Sequence, residues 1–147
     1  MTTFVDSSAL VKLYADEEGH VAVRRLDVVA IAQIARVEVP AALWCKQRTG
    51  ELSEEQARLL SADFEADYFG TDDEMPRFIA VRTTAELLDH AARLCAVHGL
   101  GAYDGIQLSS ALAARRADPD CAQFAAFDRS LRTAAAAEGF ALVPAGG

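Results

Sequence analysis

Short apolar runs alternate along the chain with longer segments whose apolar residues recur at the three- and four-residue spacing of an amphipathic helix. The runs predict buried strands at residues 2–6, Val28–Ile31, Phe78–Val81, Phe124–Phe127 and Phe140–Val143. The segments between them predict helices over Ser7–Tyr14, Glu17–Leu26, Ala35–Thr49, Ser53–Tyr68, Thr83–His98, a stretch after Gly101, and the residues from Asp128 to Gly139. This alternation favours one α/β domain, in which a parallel sheet of four or five strands lies between two layers of helices.

Residues that favour helix ends agree with this division. Ser53 with Gln56, and Thr83 with Glu86, have the spacing of a capping box at a helix N-terminus. Glycines that suit a helix C-terminus follow three of the predicted helices, at Gly50, Gly99 and Gly139.

Length and composition fit a single globular domain. The chain has 147 residues, of which 52% are hydrophobic and 24% are charged. No apolar run approaches the roughly 18 residues that a membrane span requires. The first five residues carry no basic group, so we expect no signal peptide and a cytoplasmic protein.

The charge balance argues against a general nucleic-acid binder. The formal net charge is −8, whereas affinity for phosphates comes largely from Lys and Arg. The three cysteines form no C-x-x-C pair and the three histidines are dispersed, so neither a disulfide framework nor a zinc site is predicted. The excess of acids therefore needs another explanation.

Three acids fall where the predicted sheet would bring them to one edge, and a fourth, Asp104, opens a helix that no predicted strand directly precedes. Asp6 follows the first strand, Asp128 follows the fourth, and Glu38 and Asp104 lie in the first turns of helices. Each one alone has an ordinary structural explanation as a helix cap or a partner of the helix dipole. Together at one edge they would repel one another, and a divalent cation such as Mg²⁺ or Mn²⁺ would relieve that repulsion.

Four segments in order resemble the PIN-domain ribonucleases, in particular the VapC-type toxins of toxin–antitoxin systems. They are Phe4–Tyr14 around Asp6, Ala35–Leu43 around Glu38, His98–Leu108 around Asp104, and Phe127–Leu131 around Asp128. The resemblance extends from about Phe4 to Pro144, nearly the whole chain.

The resemblance implies a PIN-like three-layer fold and metal-dependent cleavage of RNA with Mg²⁺ or Mn²⁺. It implies that Asp6 and Asp104 hold the metal directly, and that Glu38 and Asp128 are further ligands or hold water. Ser8 matches the family's hydroxyl two residues after the first acid, and it equally suits a helix start. A homodimer and a cognate antitoxin protein are also implied.

The sequence departs from the family pattern at two positions. Gly105 stands where alanine is commoner, and Ala126 stands where a hydroxyl often occurs two residues before the last acid. The second change would remove a hydrogen bond that orients Asp128.

Two other functions fit parts of the sequence. A haloacid-dehalogenase-like phosphatase would use Asp6 as nucleophile, but such enzymes have a second Asp two residues on, where this chain has Ser8. A PIN-fold binding module without catalysis is the other alternative, and the presence of all four acids argues against it.

Basic and apolar residues suggest surfaces for RNA or protein partners. Lys12, Arg36, Lys46 and Arg48 are candidates to contact RNA, and Trp44 is a candidate to stack on a base. The two helices Ala35–Thr49 and Ser53–Tyr68 and the residue after them carry more apolar residues than one side of a small sheet covers: Val39, Leu43, Trp44, Leu59, Leu60, Phe64, Tyr68 and Phe69. Such a surplus is typical of an interface.

Overall fold

The computed structural model describes residues 1–146 and has one five-stranded sheet at its centre. The strands are β1 (Thr2–Val5), β2 (Val28–Ala32), β3 (Ile79–Val81), β4 (Cys121–Ala125) and β5 (Ala141–Val143). Their order across the sheet is β3-β2-β1-β4-β5, and all neighbours are parallel. This confirms the predicted parallel sheet and places the first strand at its middle.

Helices cover both faces of the sheet. They are α1 (Ser7–Leu10, followed by a 3₁₀ turn at Val11–Leu13), α2 (His20–Arg24), α3 (Ala35–Arg48), α4 (Glu54–Phe69), α5 (Ala85–His98), α6 (Ala102–Ala117) and α7 (Arg129–Ala137). Consecutive strand residues point to opposite faces, so Phe4 packs with α5, α6 and α7, whereas Val5 packs with α1 to α4. The protein is therefore a three-layer α/β/α domain, as predicted.

One of the two predicted capping boxes is present in the structure, and the other helix begins with a different cap. Ser53 and Gln56 form the predicted capping box, in which each side chain bonds the other's backbone amide. At α5 the cap is Thr84, whose hydroxyl accepts from the Leu87 amide, and not Thr83. Thr83 instead donates its backbone amide to the Gln33 side chain, because it joins β3 to the turn after β2.

Several predicted elements have slightly different bounds in the structure, and the differences at β4 and α2 have a visible cause. β4 begins earlier and ends at Ala125, because Phe127 leaves the strand to pack against Gly19. A side chain at Gly19 would overlap the Phe127 ring, and the backbone there has φ of +88°. That left-handed residue also delays α2 to His20, so this helix is shorter than its apolar pattern predicts.

A glycine allows α6 to approach α5 closely. A Cβ atom on Gly105 would overlap the Cys95 sulfur and lie 3.1 Å from the carbonyl oxygen of Ala91. Gly105, which departs from the family pattern, thus leaves room for the Cys95 side chain on the facing helix.

The apolar surplus of α3 and α4 is only partly buried. Val39, Leu43 and Phe64 lie in the core, whereas Leu59 and Phe69 are more than half exposed. Trp44, Leu60 and Tyr68 are intermediate. Among residues 1–146, no helix is both long enough and apolar enough to span a membrane.

Candidate active site

The fold places all four predicted acids at the carboxyl edge of the central strands. Asp6 directly follows β1 and caps α1, and Asp128 caps α7 shortly after β4, the neighbour of β1. Glu38 lies in the first turn of α3, which follows β2 on the other side of β1. Asp104 lies in the first turn of α6.

Asp6 is the buried centre of this group. Its side chain is only 3% exposed, and its Oδ1 accepts a hydrogen bond of 2.8 Å from the Ala9 amide. Burial is the largest cause of a raised pKa for Asp6, which lies at about 7 instead of 3.8. The Ala9 bond lowers this pKa, whereas the charges of three other carboxylates raise it: those of Asp104, Glu38 and Asp128. The acids therefore lie close enough to repel one another.

Asp104 shows the same repulsion from a more open position. Partial burial raises its pKa first, and the charges of Asp128 and Glu38 raise it further. Repulsion of this kind costs stability as long as nothing positive lies between the groups.

Three of the acids each use one oxygen for a bond within the protein. Asp6 accepts from Ala9, and Asp128 accepts through Oδ2 from the Leu131 amide at 3.0 Å. Glu38 accepts through Oε1 from the Ser7 hydroxyl at 2.9 Å. These bonds orient the carboxylates and leave the second oxygen of each to serve a ligand.

Sequence reasoning missed Ser7 and Gln107. Gln107 is 2% exposed on α6, and its Nε2 donates to the Ser7 Oγ at 2.8 Å and to the Glu38 Oε1 at 2.9 Å. One signal was available, because Gln107 lies three residues after Asp104 and such residues share a helix face. Ser7 had no comparable signal, since Ser8 beside it has the same side chain.

Ser8, the predicted hydroxyl, is exposed on α1. It lines a shallow hollow with Lys12, Lys46 and Phe127, whereas Ser7 makes the contact to Glu38. A catalytic role for Ser8 stays a prediction.

The four basic residues that are predicted to contact RNA differ in their contacts within the protein. Lys12 and Lys46 both form ion pairs with Glu17, and Lys12 also lies 4.5 Å from the centre of the Phe127 ring. The Arg36 guanidinium stacks 4.9 Å from the Phe69 ring centre. Arg48 is exposed at the end of α3.

All three cysteines are free thiols: Cys45, Cys95 and Cys121. His98 lies on α5 with its Nε2 2.7 Å from the Oε2 of Glu138, at the end of α7, so the contact joins these two helices.

The four carboxylates form a hard, all-oxygen donor set of the kind that Mg²⁺ and Mn²⁺ prefer. Within the described part of the chain, no three His, Cys, Asp or Glu side chains converge closely enough to hold one ion as they stand. A cation held by two of these acids would keep part of its water shell, as Mg²⁺ usually does.

A separate cleft of about 760 Å³ lies between α4 and the segment that follows the 3₁₀ turn. Its lining combines the apolar side chains of Leu52, Leu59 and Leu60 with acids that include Glu17 and Asp63. The cleft therefore combines an apolar surface with acidic side chains.

These features define a class: an α/β/α domain with a doubly covered parallel sheet and an acidic centre at its carboxyl edge. A family model described as the PIN domain matches residues 3–137. The chain belongs to the PIN domain family.

Solved structures agree with this fold. The crystal structure of FitAcB from Neisseria gonorrhoeae is similar, with a TM-score of 0.59 and 16% sequence identity over 95% of each chain. At this identity the likeness shows the shared fold. A search of curated protein sequences found no match.

Proposed function

We propose that this PIN-domain protein is a divalent-cation-dependent endoribonuclease, the VapC-type toxin of a toxin–antitoxin pair. The observation that carries the proposal is the state of Asp6. A 3%-exposed carboxylate with a pKa of about 7, among three other acids, is costly for the fold. A bound cation would offset that cost, and perturbed acids of this kind are typical of catalytic sites.

Asp6 and Asp104 would hold the cation, and Glu38 and Asp128 would be further ligands or hold water. Mg²⁺ or Mn²⁺ there would supply positive charge against the phosphate and lower the pKa of a nearby water. The chain's own groups orient the acids: the Ala9 and Leu131 amides hold Asp6 and Asp128.

The cation also accounts for substrate binding by an acidic protein. An RNA phosphate would be repelled by four carboxylates, and a divalent ion between them would offset part of their charge and give a phosphate oxygen a positive partner. Ser8 is exposed and lies two residues after Asp6, so its hydroxyl is the candidate to contact the RNA strand.

Cleavage of single-stranded and structured RNA in the presence of Mg²⁺ or Mn²⁺ tests the activity. We expect cleavage that excess chelator abolishes and that Asp104→Asn reduces by at least about a hundredfold, since Asn keeps the shape and loses the charge. Asp120→Asn, an exposed acid on the turn before β4, is the matched control and should cleave normally.

Other outcomes would contradict this function. Full activity in chelator would exclude a cation-dependent nuclease. Cation binding without cleavage of any RNA would indicate a catalytically silent PIN-fold binding module. A phosphoryl group trapped on Asp6 would indicate a phosphatase.

The proposed protein partner is an antitoxin whose segment occupies the cleft beside α4. Leu52, Leu59 and Leu60 offer apolar contacts, and the surrounding acids favour a basic, amphipathic peptide. Co-expression of a cognate antitoxin should relieve toxicity, and Leu59→Asp should abolish that relief. Leu88→Asp, which alters an exposed leucine on α5, is the control. Relief that is the same for both variants would place the partner elsewhere.

We also propose a homodimer that uses the exposed apolar side chains of α3 and α4. Val37 is 71% exposed, and Phe69 is 56% exposed beneath the Arg36 guanidinium. Isolated apolar exposure is ordinary, but Arg36 lies over the rings of both Phe69 and Tyr68, and aromatic and arginine side chains are enriched at interfaces. Light scattering at micromolar concentration should give a dimer, and Val37→Glu should give a monomer. A monomeric wild-type chain would contradict this.

A further inference from the structure

Ser7, Glu38 and Gln107 form a closed ring of hydrogen bonds that joins three separate elements. The Gln107 Nε2 donates to the Ser7 Oγ at 2.8 Å and to the Glu38 Oε1 at 2.9 Å, while the Ser7 hydroxyl donates to the same Glu38 oxygen at 2.9 Å. The ring ties α6, which carries Asp104, to the starts of α3 and α1.

The ring fixes the orientation of the Gln107 amide. The reversed amide would direct its carbonyl oxygen at the Glu38 carboxylate, so two acceptors would face each other without a proton between them. The Nε2 donor therefore faces Glu38, and one carboxylate oxygen receives two hydrogen bonds.

This orientation has a cost on the other side of the amide. The Gln107 Oε1 is buried and has no hydrogen-bond partner among the described residues. An unpartnered buried acceptor destabilises a fold, and an apolar side chain of similar size would avoid it. The glutamine is thus poorly explained by packing alone, and its donor atoms serve Glu38.

We propose that Gln107, acting with Ser7, is a positioning residue that holds Glu38 by one oxygen so that the other faces the cation site. The inference rests on the proposed function, because it assigns Glu38 a ligand role there. Asp6 and Asp128 are held by backbone amides, whereas Glu38 has no such bond and depends on these two side chains.

Calorimetric titration of the folded protein with Mn²⁺ tests this inference. Gln107→Met keeps the length of the side chain and removes its donors, so we expect binding about tenfold weaker, the lower range for groups that orient metal ligands. Ser7→Ala, which removes one of the two donors to Glu38, should weaken binding less. Ser109→Ala is the matched control, because it removes an equally buried hydrogen bond on the same helix, to the Leu87 carbonyl.

Two readouts separate positioning from a merely structural role. The thermal midpoint of Gln107→Met should stay within about 3 °C of the wild type, because the orphaned acceptor disappears with the donors. In a Glu38→Ala background, Gln107→Met should no longer change Mn²⁺ affinity, because the residue acts through Glu38. Wild-type affinity in Gln107→Met, or an equal loss in both backgrounds, would overturn the inference.

Carbon-13 NMR of the Glu38 carboxyl group keeps this inference distinct from the proposed function. In Gln107→Met the Glu38 signal should move towards that of an exposed glutamate, and in Ser109→Ala it should stay unchanged. If the wild type binds no Mn²⁺, the proposed function fails, and the signal still reports whether Gln107 holds Glu38. A signal that does not move in Gln107→Met overturns the positioning role in either case.

Discussion

The Tyr14 hydroxyl donates a 2.6 Å hydrogen bond to the Asp67 Oδ2, which joins the chain after α1 to the far end of α4. Burial first, and then this bond, raise the pKa of Tyr14 well above its ordinary value, so the phenol keeps its proton. The Arg77 guanidinium lies 3.4 Å from the same oxygen. The contact holds α4 against the segment that forms one wall of the acidic cleft.

Replacement of Tyr14 by Phe removes this bond and leaves the ring in place. We expect the free energy of unfolding to fall by about 1–2 kcal/mol, since a partly buried carboxylate loses its neutral donor. Urea unfolding measures the change. Tyr103→Phe, which alters an exposed tyrosine, should change stability by less than about 0.5 kcal/mol. Equal effects of the two substitutions would show that the bond to Asp67 contributes nothing.

Replacement of Asp6 by Asn should abolish RNA cleavage and yet stabilise the cation-free protein. The amide oxygen can still accept from the Ala9 amide, whereas the buried charge is gone. At pH 8 without divalent ions, we expect the free energy of unfolding to rise by roughly 1–3 kcal/mol. Asp89→Asn, at an exposed position on α5, should leave stability nearly unchanged. A destabilised Asp6→Asn would mean that the carboxylate serves the fold rather than a ligand.

The raised pKa of Asp6 also predicts two opposite effects of pH. The pKa of Asp6 is about 7 in the folded state, whereas that of an unperturbed aspartate is 3.8, so between these values the folded state binds more protons. Without cations, stability should therefore fall as pH rises from about 4 to 7, and Asp6→Asn should flatten this slope.

Cation affinity should instead increase as pH rises, because a proton competes with the ion for Asp6. Mn²⁺ affinity measured by calorimetry should be about tenfold weaker at pH 6 than at pH 8, as the ionised fraction of this carboxylate declines. Affinity that is the same at both pH values would place the cation away from Asp6.

The close approach of α5 and α6 predicts a coupled pair of substitutions. Gly105→Ala should lower the free energy of unfolding by about 1–3 kcal/mol, because its methyl group would overlap the Cys95 sulfur. In a Cys95→Ala background the same change should cost much less, since the smaller side chain makes room. Thermal unfolding of the four proteins of this cycle measures the coupling, and simple additivity would show that the helices separate instead.

The sequence predicted the layers of the fold and the edge at which the acids meet. The alternation of apolar runs and helical periods was enough to define the sheet, because a parallel sheet with both faces covered needs short apolar strands. The strands' carboxyl ends then defined where Asp6 and Asp128 lie. Local chemistry was equally informative at Ser53 and Gln56. Each of these side chains accepts a hydrogen bond from the other residue's backbone amide, so the start of α4 follows from nearby residues alone.

The details that escaped prediction depend on contacts between distant residues. The apolar pattern predicts that Phe127 ends β4, but in the structure Phe127 packs on Gly19, a contact that no local pattern reveals. Ser7 and Ser8 have the same side chain, and only the start of α1 decides which of them reaches Glu38. Gln107 lies among apolar neighbours on α6, and its role appears only when α3 is placed beside it.

The order of the strands has a consequence for how the protein is made. β1 is paired on one side by β2 and on the other by β4, so Asp6 and Asp128 become neighbours only when a segment from far along the chain joins the sheet. A growing chain therefore carries an incomplete set of acids until β4 and the start of α7 have been synthesised. If the finished domain cuts RNA with all four acids, this strand order predicts that a partly synthesised chain is inactive.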